Sequence, residues 1–176
     1  MKRRLFLQAA VGFPAGLFLT SNAFAQAQGL LTGGDIVNLR CLGSTEGSRF
    51  LDGRTANATV GLAPTANPPY TGTRWEVLDA GPGAFFLRCL GSTEGSRFLD
   101  GRTKNATVGL APTTSPPYTG TRWEVMDAGP GAVFLRCLGS TEGSRFLDGR
   151  TKNATVGLAP TTSPPYTGTR WEVIRS

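Results

Sequence analysis

The chain has 176 residues with 24 glycines, 12 prolines, three cysteines and no histidine, and 17% of its residues are charged. The lack of histidine excludes imidazole-based catalysis and imidazole metal ligands, and three cysteines are too few for a disulfide-dense scaffold. The formal net charge is +6 and hydrophobic residues make up 39%, a balance that suits one folded domain with its own core rather than a disordered chain.

Residues 1–25 read as a signal peptide. Lys2, Arg3 and Arg4 make a positive start, Leu5 to Leu19 is apolar, and Ala23-Phe24-Ala25 supplies a small-x-small cleavage pattern. Gln8, Gly12, Pro14 and Gly16 interrupt the apolar stretch, which is too short to anchor the mature chain in a bilayer. Arg3-Arg4-Leu5-Phe6-Leu7 resembles the twin-arginine export motif, with Lys2 and Gln8 standing where that motif carries Ser or Thr and Lys. A general secretory peptide is the alternative. Either route predicts a periplasmic or secreted bacterial protein, free of the membrane after cleavage. Residues 26–32 read as a linker. Cleavage lowers Lys plus Arg from 18 to 15 against 12 acids, a net charge of +3 with no basic run. No nucleic-acid partner is expected from that distribution.

From Gly33 onward the chain is one segment written three times. Cys41, Cys89 and Cys137 are 48 residues apart, as are Trp75, Trp123 and Trp171, which frames units 33–80, 81–128 and 129–176. The second and third units differ only at Phe85/Val133, Met126/Ile174, Asp127/Arg175 and Ala128/Ser176. The first diverges mainly over Gly34 to Asn38, as suits a strand that follows a linker. The frame leaves no residues for a further domain, and any site should be threefold.

Each unit reads as four strands. In the second, Ala84–Leu90 is rich in aromatic and aliphatic residues, Arg97–Asp100 is a short strand after a Gly/Ser turn, and Thr107–Ala111 alternates. Pro112–Gly120 is a proline-rich loop, and Thr121–Met126 alternates again. No window after the signal shows a helical period. Three such units are too few for a propeller and lack the polar caps of a solenoid. They resemble a β-trefoil: all-β, twelve strands, pseudo-threefold, with six strands in a short barrel and three hairpins closing one end. Leu39, Cys41, Phe50, Val60, Leu62, Trp75 and Val77, with their copies, are the expected core. No unit can bury its apolar face alone, so closure of all three is required for folding.

Among residues able to do chemistry, the cysteines read as buried inert thiols, since three threefold-related positions cannot all pair and lie too far apart for a disulfide. No metal or other cofactor is expected. Asn57-Ala58-Thr59 and its copies at Asn105 and Asn153 match a glycosylation sequon but read as turns in which Asn takes left-handed angles. Glu46 and Asp52, with Glu94/Asp100 and Glu142/Asp148, could serve as a glycosidase carboxylate pair. Arg49 and Arg54 nearby favour ionised, ion-paired carboxylates, and an enzyme is not expected.

The run Phe50-Leu51-Asp52-Gly53, then Asn57-Ala58-Thr59-Val60-Gly61-Leu62, then Gly72-Thr73-Arg74-Trp75 resembles the repeat of ricin-type β-trefoil lectins over about 144 residues, the three units together. The family's Gln-x-Trp becomes Thr73-Arg74-Trp75, and the resemblance makes that Trp a core residue. Its sugar-binding Asp falls on Asp52, Asp100 and Asp148, where a carboxylate accepts hydrogen bonds from adjacent sugar hydroxyls. Its aromatic platform falls near Ala63, Ala111 and Ala159, and its polar partners on Gly61 and Gly72. Tyr70, Tyr118 and Tyr166, in proline-stiffened loops, are candidate replacement platforms beside Asp52/Arg54, Asp100/Arg102 and Asp148/Arg150. The alternative for Tyr70 is packing over the hairpin cap. The resulting expectation is a monomeric, non-catalytic, carbohydrate-binding module with three equivalent shallow sites. The alternative is a protein-binding inhibitor or adhesion factor that uses the proline-rich loops.

Overall fold

A computed structural model describes residues 29–176. The signal peptide expected over 1–25, with its export motif, lies outside the described residues. Each unit supplies four strands: β1 Ile36–Cys41, β2 Phe50–Arg54, β3 Thr59–Ala63 and β4 Trp75–Asp79; then β5 Ala84–Cys89, β6 Phe98–Arg102, β7 Thr107–Ala111 and β8 Trp123–Asp127; then β9 Ala132–Cys137, β10 Phe146–Arg150, β11 Thr155–Ala159 and β12 Trp171–Arg175. The expected number of strands and the third-strand boundaries are met. The fourth strand starts at the Trp, not two residues earlier, because Thr71–Thr73 and its copies form a single 3₁₀ turn. A second 3₁₀ turn, Thr55–Asn57 and its copies, joins the hairpin strands.

Strands β1, β4, β5, β8, β9 and β12 pair antiparallel in a closed ring. The other six form hairpins β2–β3, β6–β7 and β10–β11, tied in a triangle through β3–β7, β7–β11 and β11–β3. The expected barrel and cap are thus present as pairings but are not separate bodies. Arg40↔Phe50, Arg88↔Phe98 and Arg136↔Phe146 join them into one twelve-stranded sheet. The chain closes on itself with its internal register, Cys41 lying opposite Trp171 as Cys89 lies opposite Trp75 and Cys137 opposite Trp123. At each of these seams a cross-strand ion pair adds to the ladder: Arg88–Glu76, Arg136–Glu124 and Arg40–Glu172.

In the triangle, Leu62 N–H donates to the carbonyl of Ala154, Leu110 N–H to Ala58 and Leu158 N–H to Ala106, all at 3.0 Å. To aim those carbonyls the alanines take φ of 56°, 53° and 53°. The left-handed residue is therefore Ala58, not the expected Asn57. Asn57 is spent on local bonding, its Oδ1 accepting from the Thr59 hydroxyl at 2.6 Å and from the Thr59 N–H at 3.3 Å.

The core holds all three tryptophans, all three cysteines, and Leu39, Leu62 and Val77 as expected. Each indole N–H donates to a strand carbonyl, Leu51, Leu99 or Leu147, at 2.9–3.0 Å. Phe50 and its copies are only half-buried, and Leu51, Leu99 and Leu147 take the interior. The strand is one residue out of the expected phase, which turns every side chain to the other face. Val60 points toward the core but stays half-buried at the cap, as do Val108 and Val156. Within the stretch expected to be a linker, Leu31 is completely buried and Leu30 packs against the core cluster, so these two residues belong to the folded body.

Candidate functional site

The phase of the hairpin's first strand creates the site. In β10, Leu147 and Gly149 face inward, Gly149 so closely that a Cβ there would lie 2.8 Å from Cys41 Sγ. Phe146, Asp148 and Arg150 therefore share the outer face. Asp148 is nonetheless 6% exposed, because the turn Thr167–Thr169 folds over it. A Cβ on Gly168 would sit 2.8 Å from Asp148 Oδ1, so the backbone of the turn lies directly against that carboxylate. Thr169, standing where the lectin repeat has Gln, is buried and donates its hydroxyl to the Tyr166 carbonyl at 3.0 Å. It holds the turn, and with it the tyrosine, in place.

Arg150 reaches back along its own face to Asp148 at 3.6 Å. Its guanidinium lies over Gly157, where a Cβ would be 3.1 Å from Nη2. The second unit repeats this geometry with Asp100–Arg102 at 3.5 Å, and the first with Asp52–Arg54 at 3.5 Å. Gly61 and Gly72, where the sequence resemblance would put polar partners, are glycines for steric reasons: Gly61 makes room for Arg54, and Gly72 for the backbone of β2. No platform forms at Ala63, Ala111 or Ala159, which are completely buried.

Asp148, Arg150 and Tyr166 line one open cleft of about 560 Å³, and Asp100, Arg102 and Tyr118 line another of about 400 Å³. The tyrosines are half-buried, with ring surface left for contact. Burial pushes the carboxyls of Asp148 and Asp100 above the ordinary range, and Arg150 and Arg102 offset only part of that rise. The expected pairing of aspartate with arginine is present in all three units, and at Asp100 and Asp148 desolvation outweighs its effect on the carboxyl. Glu142, Glu94 and Glu46 are exposed and, among the described residues, take part in no ion pair. Glu142 and Glu94 do not line the clefts around Asp148 and Asp100, so the glutamate–aspartate pairs do not converge there.

Two contributions escaped the sequence reading. Ser44 lines the cleft of the third unit and Ser140 that of the second, so each cleft is completed across a seam by the unit paired beside it. Lys152 and Lys104 also line these clefts, from the 3₁₀ turn two residues past the arginine. The first unit has Ala56 at that position, so the three copies of this segment are not equivalent in charge.

No family model matches the chain, and no curated protein matches it. Among solved structures the chain is similar to a designed threefold-symmetric protein, ThreeFoil, with a TM-score of 0.59 at 19% identity, covering 79% of this chain and 97% of that one. It is also similar to part of the GlcNAcα1-4Gal-releasing endo-β-galactosidase from Clostridium perfringens, with a TM-score of 0.62 at 10% identity over 81% of this chain. The match spans 33% of that enzyme's length. At these identities the likeness concerns the fold: an all-β body of three related units.

Proposed function

We propose that this chain is an exported, monomeric β-trefoil, similar to the ricin-type lectins, that binds carbohydrate without transforming it. The observation that carries this reading is the convergence of Asp148, Arg150 and Tyr166 on one open cleft, repeated at Asp100, Arg102 and Tyr118. A buried carboxylate with free lone pairs accepts from two neighbouring sugar hydroxyls, the guanidinium donates to a third oxygen, and the tyrosine ring covers an apolar sugar face. The likeness to part of an endo-β-galactosidase fits a fold compatible with glycan recognition, although fold alone warrants little.

The clefts are shallow, so each site binds weakly, and strength comes from several sites engaging one polyvalent glycan. Avidity of roughly 10²–10⁴ over a single site is the expected scale. A glycan array followed by calorimetry on soluble oligosaccharides tests the proposal. Binding that is lost on Tyr118→Ala with Tyr166→Ala supports it, whereas no binding to any saccharide at millimolar concentration removes it. The protein-binding alternative gains less from the structure. Leu42 is the exposed large hydrophobic among the described residues, and it lies outside the proline-rich loops.

A further inference from the structure

The two clefts carry a charge that a neutral sugar does not require. Asp148 and Arg150 face each other at 3.6 Å and Asp100 and Arg102 at 3.5 Å, so within each pair the formal charges cancel. Lys152 and Lys104 are then the surplus, one per cleft. Both are exposed, and among the described residues neither has a carboxylate within 4 Å. The aspartate is buried beneath the turn while the lysine that lines the same cleft is exposed, and Ser44 lines one cleft and Ser140 the other. That division separates a buried acceptor for hydroxyls from an exposed cation in the same cleft.

Resting on the carbohydrate-binding reading, we propose that the clefts of the second and third units select acidic saccharides, with an anionic substituent held by Lys104 or Lys152. The first unit, with Ala56 at that position, lacks this selectivity. The chain then presents two acid-selective sites and one indifferent site. A carboxylate and a sulfate ester offer the same oxygens to an ammonium group, so both sources fit the chemistry.

The test uses NMR titration of the mature chain with galactose, galacturonate and galactose 6-sulfate, at low and near-physiological ionic strength. The expected result is tighter binding of at least one acidic sugar than of galactose, by about fivefold at low salt, the scale of a partly exposed charge-assisted contact. The advantage shrinks with salt. It disappears in Lys104→Ala with Lys152→Ala, surface changes that leave thermal stability intact, and Ala56→Lys extends it to the first unit. Which acidic arm responds identifies carboxylate or sulfate. Equal affinity for all three sugars, or an acidic preference untouched by the lysine changes, overturns this inference and leaves carbohydrate binding standing. Binding of polyglutamate as tight as that of the acidic sugars overturns selectivity for saccharides. Failure of every sugar to bind defeats the underlying reading and this one with it.

Discussion

A Cβ built on Gly168 would lie 2.1 Å from the carbonyl oxygen of Gly149. The turn that carries Tyr166 therefore rests directly on the strand that carries Asp148, and nothing larger than hydrogen fits between them. The same approach recurs at Gly72 over Gly53 and Gly120 over Gly101. Because the opposing atom is backbone, it has no rotamer by which to retreat. Gly168→Ala is expected to lift the Thr167–Thr169 turn, cost about 1–3 kcal/mol as an overpacking change, and abolish ligand binding in that cleft. Urea unfolding of this variant beside the exposed control Thr167→Ala checks it. Equal midpoints would show that the turn is free to move.

The two buried carboxylates make a pH prediction whose sign is opposite to that of a salt-bridged acid. Folding raises the carboxyls of Asp100 and Asp148 above their ordinary value of 3.8. The folded state therefore holds more protons than the unfolded state between the ordinary and the raised values. Their contribution favours folding fully at pH below the ordinary value and is lost as pH rises through the raised one. Asp100→Asn with Asp148→Asn is expected to raise Tm at neutral pH, to lose that advantage in acid, and to weaken sugar binding. Calorimetric Tm across the acid range measures it. A lower Tm at neutral pH would mean that Arg102 and Arg150 hold these carboxylates more strongly than burial opposes them.

The threefold plan and its closure could be read before any coordinates because each 48-residue unit carries apolar strands with nothing of its own to cover them. The burial of the tryptophans followed from the same argument. The phase of the hairpin strand could not be read that way. Phe50 and Leu51 are both apolar, so alternation allows either to face inward. The choice is made by Gly53, which faces inward because Cys89 and Trp75 fill the space a side chain would need. Asp52 was accessible through the lectin resemblance, and Tyr70 and Arg54 through the proline-stiffened loop and the charge beside it. Ser44 and Ser140 were not, because their proximity to the aspartates exists only after distant units have paired, whereas the lysines follow the aspartates by four residues and only the turn after the strand shows that they line the same cleft.

Ring closure sets the folding unit. β1 reaches its longest partner, β12, only when the third unit is present, with five paired positions from Val37↔Arg175 to Cys41↔Trp171. A chain ending at Ala128 loses that partner and one corner of the hairpin triangle. It is expected to remain unfolded or to associate with other copies, as judged by circular dichroism and sedimentation. A cooperatively unfolding monomer from two units would contradict the closure argument.

Leu31 gives a sharper test of where the folded body begins. Its side chain is completely buried, while Arg175 donates to the carbonyls of Gly29 and Leu30 at 3.3 and 3.2 Å. Leu31→Ala is expected to cost about 2–5 kcal/mol, the range for emptying a core leucine site. A chain starting at Gly33 should lose at least as much. Denaturant midpoints with unchanged slope would establish the effect, and a loss below about 0.5 kcal/mol, within ordinary surface scatter, would return this segment to the status of a linker.

The thiols report on how tightly each cleft is backed. Cys41 Sγ donates to the carbonyls of Gly149 and Gly168, Cys89 to Gly53 and Gly72, and Cys137 to Gly101 and Gly120, all at 3.4–3.5 Å. Cys41 thus lies beneath the cleft of the third unit and Cys137 beneath that of the second, and burial pushes all three thiols up from their ordinary value. The thiolate is the reactive form, so native alkylation requires an opening that also releases the glycine carbonyls. Iodoacetamide is expected to modify the three at similar slow rates that rise together with denaturant, toward the rate of the unfolded chain. Rapid labelling of a single cysteine in the native protein would reveal that one unit opens independently of the other two.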